Sequence, residues 1–413
     1  MSHAEHSQHE QHSRHPGNLP PVRVPVTPAV MRWAVERYGN DEELSRRFPQ
    51  LGKWLEGKAQ PTVRQLEAFA QATLTPFGYF FLPNPPQEEI TLPDFRLRSG
   101  EAVRLTARMQ ALIGMLQARQ EWLSEYRQYT GWPRLTFIGK YDAGADPDVV
   151  ASGMRAELNL PSTWPAGEPA QENALTVLTQ RAEAAGIVVV FNSVLGNNTH
   201  QKLKDEDFSG FVLSDDYAPF IFINTGRERT KAAQLFTLAH ELAHLWLGQS
   251  GISRVTIRQQ AEQAIERQCN RIAAAFLMPA PSFSGTWNKL PDAPLQEKIH
   301  RLAQQWEVSQ EAIVIRAREL HLLDRIRVDL LLEELRQRYE EREGMTTHGG
   351  GDFYRTQVRH LGRPFVDAVL DALVEGVLSY HEAEELLEVR GKTLTKLLNR
   401  IRGGISSHDM LRR

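Results

Sequence analysis

Thr237-Leu-Ala-His240-Glu241-Leu-Ala-His244-Leu-Trp-Leu-Gly248 places H-E-x-x-H inside an apolar, helix-forming run. Residues four apart sit one above the other on an α-helix, so His240 and His244 can present two imidazoles to one tetrahedral zinc ion. Glu241 follows the first histidine and leans to the side of that face, within reach of a water proton. Leu235, Phe236, Leu238, Leu242, Leu245 and Leu247 make the helix a buried one. Imidazoles and a carboxylate are costly to bury without a partner, and a metal ion is the partner that suits this set.

A hydrolytic zinc site needs three protein ligands and an open position. An H-x-x-G-x-x-H extension is absent, since Gly248 falls four residues after His244 and Gly251 seven. The next strong helix runs from Arg258 to Met278 and stops at Pro279. Glu262, Glu266, Cys269, Ala273 and Phe276 line one stripe of it. A glutamate on a packed stripe wants a cation, which makes Glu266 the natural third ligand and Glu262, one turn earlier, its competitor. Cys269 reads as a small buried side chain, with a thiolate ligand as the other reading. Asn270 or a nearby carboxylate is expected to orient the histidines, and Tyr217 and His200 are weak candidates for an oxyanion donor.

Three segments together resemble the ImmA/IrrE family of metallo-endopeptidases. They are Ala-Pro219-Phe-Ile-Phe-Ile-Asn224, Ala-Gln234-Leu-Phe-Thr-Leu-Ala-His240-Glu241-Leu-Ala-His244, and Glu266-Arg-Gln-Cys269-Asn270-Arg-Ile-Ala-Ala-Ala-Phe276-Leu-Met-Pro279. The likeness spans roughly residues 170 to 280. It implies a zinc-dependent cut in a repressor or antitoxin-like protein, with Glu266 as third ligand and Glu241 as general base.

Residues 27–75 read as short helices. Arg32 to Arg37, Glu43 to Arg47, Trp54 to Gly57 and Gln60-Pro-Thr62 are similar to a Cro/repressor-type (XRE-type) helix-turn-helix. Arg46, Arg47, Lys53 and Lys58 are the candidate phosphate contacts with double-stranded DNA. The segment from Phe48 to Trp54 is short for a recognition helix, so a small bundle that packs on protein stays open beside DNA binding. A second class of function follows: a DNA- or protein-binding regulator whose zinc is structural or whose cleavage is vestigial.

The expected architecture is multidomain and mainly α, with a small α+β zincin-like core. A disordered His-rich tail (1–20) precedes the helix-turn-helix-like domain (21–83) and connecting helices (84–165), the long Glu101–Tyr129 helix among them. The metallopeptidase domain (166–290) holds strands at Ile187–Phe191, Phe211–Leu213 and Phe220–Ile223. A second helix-turn-helix-like region (291–344) follows, then a Gly349-Gly-Gly351 hinge and a C-terminal helical domain (345–413). The aromatic run Thr75 to Pro83 reads as interdomain packing, and Lys392, Lys396, Arg400 and Arg402 as a partner-docking or solvated face.

A formal charge of −3 over 413 residues carries no global nucleic-acid signal, so any DNA contact is local. One cysteine excludes an intramolecular disulfide and fits a reducing cytoplasm. No apolar run approaches the roughly 20 residues a membrane span needs, and no signal segment opens the chain. The substrate, a homodimer and the metal loaded in cells stay open.

Overall fold

The computed structural model describes residues 22–39, 41–86, 106–161, 163–166, 172–203, 208–248, 251–253, 260–290, 294–340 and 353–402. The His-rich tail, Pro93–Arg96 and the Gly349–Gly351 hinge lie outside them, as do the side chains of His200 and Glu262. The protein is mostly helical, with seventeen α-helices and a small mixed sheet among the described residues. The chain divides into two compact units: residues 1–90 with 104–108, and residues 91–103 with 109–413.

The first unit holds α1 (Pro28–Tyr38), α2 (Asp41–Arg47), α3 (Leu51–Leu55) and α4 (Val63–Thr73), then a 3₁₀ turn at Phe77–Phe81. Thr62 and Gln65 form a reciprocal capping box that starts α4. Thr27 precedes α1 without a side-chain cap, and its hydroxyl donates to the Leu82 carbonyl at 2.7 Å, tying the entry of the unit to its exit. Val30, Met31, Leu44, Trp54, Leu66, Phe69 and Phe80 make the core. Within the aromatic run, Phe80 is fully buried against Phe69 and belongs to this unit's own core.

The second unit opens with α5 (Ala107–Tyr129), α6 (Pro147–Glu157) and α7 (Ala174–Ala184). Strands β1 (Val188–Asn192), β2 (Val194–Leu195), β3 (Asn198–Lys202), β4 (Gly210–Leu213) and β5 (Phe220–Asn224) precede α8 (Lys231–Trp246). After α8 come β6 (Gly251–Ser253), α9 (Gln260–Leu277) and α10 (Ala280–Asn288). The main sheet has order β1-β5-β4-β6, with β1 parallel to β5 and the other pairs antiparallel; β2 and β3 form a separate hairpin. Every residue of β1, β4 and β5 is buried because both faces of the sheet are covered. Val189, Phe191, Val212, Ile221 and Ile223 share a core with α8 and α9. On the other face Phe211 stacks on Phe222, and Phe220 meets Phe365.

The packing runs on past the boundary expected at 290. In α11 (Leu295–Trp306), α12 (Gln310–Glu319) and α13 (Arg325–Glu340), Ile299, Trp306, Ile313, Val314 and Val328 join the same core. Ser309 caps α12 through Ala312 N, yet the apolar faces of α11 and α12 are spent on that core rather than on a separate helix-turn-helix. The buried Arg316 guanidinium fastens α12 to the end of α9 through the Met278 carbonyl and to α6 through Asp148.

Four further helices complete the unit: α14 (Phe353–Leu361), α15 (Arg363–Val374), α16 (Tyr380–Leu386) and α17 (Lys392–Arg402). The corner between α14 and α15 covers the outer edge of β1: a side chain at Gly362 would lie 3.2 Å from the Val189 carbonyl, and Arg359 sits over the Phe191 ring. An edge strand is thereby shielded. No helix among the described residues is long and apolar enough to cross a membrane.

Candidate metal centre

Helix α8 begins at Thr230, whose side chain accepts from Ala233 N. His240 stands three residues after Thr237 and four before His244, while Gln234, Thr237 and Glu241 run at spacings of three and four along the adjoining side, and every one of the five is buried. A polar stripe inside an apolar core needs partners on the facing element. For the two histidines helix α9 supplies them by presenting Glu266 and Asn270 one turn apart.

Glu266 Oε2 lies 3.0 Å from His240 Nε2, and Glu266 Oε1 lies 3.3 Å from His244 Nε2. The two Nε2 atoms are 3.1 Å apart. One donor atom from each of the three residues falls within 4.8 Å of the others. Metal–ligand bonds of about 2.0–2.1 Å put the corners of a zinc tetrahedron about 3.3 Å apart. Each of the three observed separations is close to such an edge, with Glu266 reaching His240 through Oε2 and His244 through Oε1. Two imidazole nitrogens and a carboxylate are also a donor set that zinc accepts, so the residues fit a divalent ion with one corner left over.

The electrostatics agree with a site built for a cation. Burial works against a charge on Glu266, but hydrogen bonds from His240 and His244 outweigh it and hold the carboxyl down at about 2. Burial also opposes a proton on each imidazole. At His240 the Glu266 hydrogen bond and the charges of Glu241 and Glu266 prevail, raising its pKa. At His244 burial wins and the pKa falls. His240 Nδ1 is 3.0 Å from Asn270 Oδ1, the geometry in which the amide oxygen accepts the ring N–H and turns Nε2 toward the shared point.

Glu241 is fully buried beside this group, against strand β4 and not on the ligand point itself. Cys269 is also fully buried, and burial together with the Glu266 and Glu241 carboxylates pushes its thiol far up; it stands as a core side chain outside the ligand group. Tyr217 lies in the loop beyond Leu213, whereas the Glu241 contact is at Gly210, at the opposite end of β4. Three residues of strand span about 10 Å, so the backbone of Tyr217 stands beyond the far end of β4 from that contact. Its backbone is held there by Asp215 and Arg127.

Two features carried no signal in the pattern of residue types. A side chain at Gly248, φ +66°, would come within 2.9 Å of Gly139 Cα, so this glycine pair lets the 137–141 loop close on the end of α8. The loop is fastened there by Gly139 N to the Leu245 carbonyl, Tyr141 N to the Trp246 carbonyl, and Phe137 stacked on Trp246. Gly210 is the other feature.

In the first unit, the candidate phosphate contacts lie on and around α2 and α3. Arg46 bonds back to the Glu42 carbonyl, Arg47 sits over Phe48, and Lys58 pairs with Glu56 at 2.7 Å. Within α3 only Gly52 and Lys53 are exposed. A helix of five residues thus offers one long polar side chain to a groove.

With this geometry in place, the comparisons with known proteins narrow the class. Residues 182–318 match the family model described as Peptidase_M78, IrrE N-terminal-like domain. That span contains β1 through α12, and so includes His240, Glu241, His244 and Glu266. Among curated proteins, no relative matches the chain. The match covers about a third of the chain and makes that stretch similar to a metallopeptidase domain.

Proposed function

We propose that the protein is a zinc-dependent endopeptidase with a regulatory role, which cuts a specific repressor or antitoxin-like partner. The observation that carries this reading is the convergence of His240, His244 and Glu266 at tetrahedral-edge distances, with a buried carboxylate that belongs to none of those corners. A purely structural zinc site has no use for Glu241. The match to a peptidase family model over residues 182–318 supports the same conclusion.

His240 and His244 would hold the ion through Nε2, and Glu266 through its carboxylate. Bound there, zinc supplies Lewis acidity toward a carbonyl and a water that ionises near pH 7. Glu241 takes the proton of the attacking water and returns it to the leaving amine nitrogen. Asn270 keeps His240 in the tautomer whose Nε2 lone pair faces the ion. The apolar packing of α8 and α9 fixes all four side chains before substrate arrives, so little reorganisation remains for the reaction.

Glu241→Gln tests the proposal in the full chain. Zinc content and thermal stability should be retained, while cleavage of the partner falls by about 10²–10⁴-fold. Cleavage at the unaltered rate would contradict the role of Glu241. A partner trapped by the Gln form in a pull-down would be the substrate.

A further inference from the structure

The face of strand β4 that meets α8 begins with a glycine, and the atoms around it say why. A β-carbon at Gly210 would lie 2.9 Å from Glu241 Oε1, 2.9 Å from Thr237 Cγ2 and 2.8 Å from the Phe222 carbonyl. Real β-carbons do not approach heavy atoms this closely. The φ of Gly210 is not in the left-handed region, so backbone conformation gives no reason for glycine here. The strand pairing supplies none either: Gly210 sits in ordinary antiparallel register opposite Ile223 and Ser253. Space is the reason, and part of that space holds the Glu241 carboxylate.

We infer that Gly210 is a positioning residue for Glu241: its missing side chain is the recess in which the carboxylate lies, and any larger residue would drive Glu241 out of its place beside the ligand group. The recess is held at a set depth. Ser209, the preceding residue, donates through Oγ to Glu228 at 2.6 Å, and its carbonyl accepts from Asn224 N at 2.8 Å. Gln234 Nε2 donates to the Glu228 carbonyl at 2.7 Å, so the start of α8 and the start of β4 are joined through one loop. Helix α8 therefore carries Glu241 toward a strand end whose distance is fixed by hydrogen bonds at both sides. The catalytic meaning rests on the proposed role of Glu241, but the claim that positions 210 and 241 share space does not.

A double-mutant cycle on folding equilibria separates this from ordinary strand packing. Gly210→Ala, Glu241→Ala and the double variant are made in the full chain and unfolded in urea, with no substrate required. Gly210→Ala should lower the folding constant at least about tenfold less when Glu241 is already Ala. The clash with the Phe222 carbonyl is present in both backgrounds and cancels in the comparison. A shortened acid gives the matching functional readout: zinc-loaded Gly210→Ala/Glu241→Asp should cleave the partner trapped by the Glu241→Gln form faster than Gly210→Ala alone, a rescue that a packing role would not produce. Equal cost of Gly210→Ala in both backgrounds would overturn the inference. Failure of Gly210→Ala to fold in either background would overturn it too, because the Phe222 carbonyl would then account for the glycine. A coupled cycle with no hydrolysis by any form would leave the shared space standing and remove the peptidase reading instead.

Discussion

The protein carries two motif-bearing helix pairs, and they differ in what the motif dictates. In the α8–α9 pair, spacing along one helix fixes which side chains face each other, and a buried face leaves them nowhere else to go. His240 and His244 are four apart and bury, and Glu266 on the facing helix meets both. In the α2–α3 pair, the motif specifies a fold and leaves the function to whatever is exposed. There Leu44, Leu51 and Trp54 are buried in the core of the first unit, and α3 is five residues long. Chemistry buried between helices is legible from periodicity. Recognition by a surface is not, because no packing constraint selects the outward residues.

The sharpest test of the first pair short of its ligands is Asn270. Its amide oxygen meets His240 Nδ1, on the side of the ring away from the ligand point, so Asn270→Ala should weaken zinc binding about 10–100-fold in a competitive chelator titration while the fold persists. An unchanged affinity would mean that the ring is oriented by packing alone.

Two half-buried carboxylates of the second unit extend the contrast. Glu266 faces two imidazoles and is held down at about 2. Glu183, on α7, accepts from Arg363 N, but burial dominates and pushes it up to about 7. Its folded-state pKa thus exceeds its unfolded value, so the folded state binds more protons. Stability from this group is fully present below about pH 4.5, is lost as pH rises to about 7, and is flat beyond. Glu183→Gln should remove that decline, a gain on the order of 2 kcal/mol at pH 8 relative to pH 5, read by urea unfolding. Parallel pH slopes for the two proteins would contradict the buried assignment.

The smallest effect is expected in the first unit. Replacing Arg46, Arg47, Lys53 and Lys58 by Ala should reduce any salt-sensitive affinity for duplex DNA by the same factor for every sequence. Discrimination between DNA sequences by the unaltered protein should stay below about tenfold, since bidentate base contacts need side chains that α3 does not offer. A specific site bound a thousandfold more tightly would collapse the distinction between the two helix pairs.

The limits of the sequence reading follow the same line. Strands β1, β4 and β5 announce themselves as short apolar runs because both faces of the sheet are buried. Strand β6 is three residues, Gly251-Ile-Ser253, and exists only through its pairing with β4. The hairpin β2–β3 joins a two-residue strand, Val194–Leu195, to a polar one, Asn198–Lys202, and is too short to show an alternating pattern. Helix α14 follows a glycine run that reads as hinge and is defined by docking on β1 through Arg359 and Gly362. Gly210, Gly139 and Gly248 are plain glycines until the neighbour that excludes a side chain is known. Each of these is a tertiary contact, and local residue pattern holds no record of it.

Zinc X-ray absorption on the full-length protein, with Glu266→Ala as its control, tests the central claim most directly. The account predicts a first shell of nitrogen and oxygen at about 2.0–2.1 Å with two imidazole contributions, no sulfur near 2.3 Å, and loss of that signature in the Ala form. A sulfur scatterer, or an identical spectrum from the Glu266→Ala protein, would contradict it.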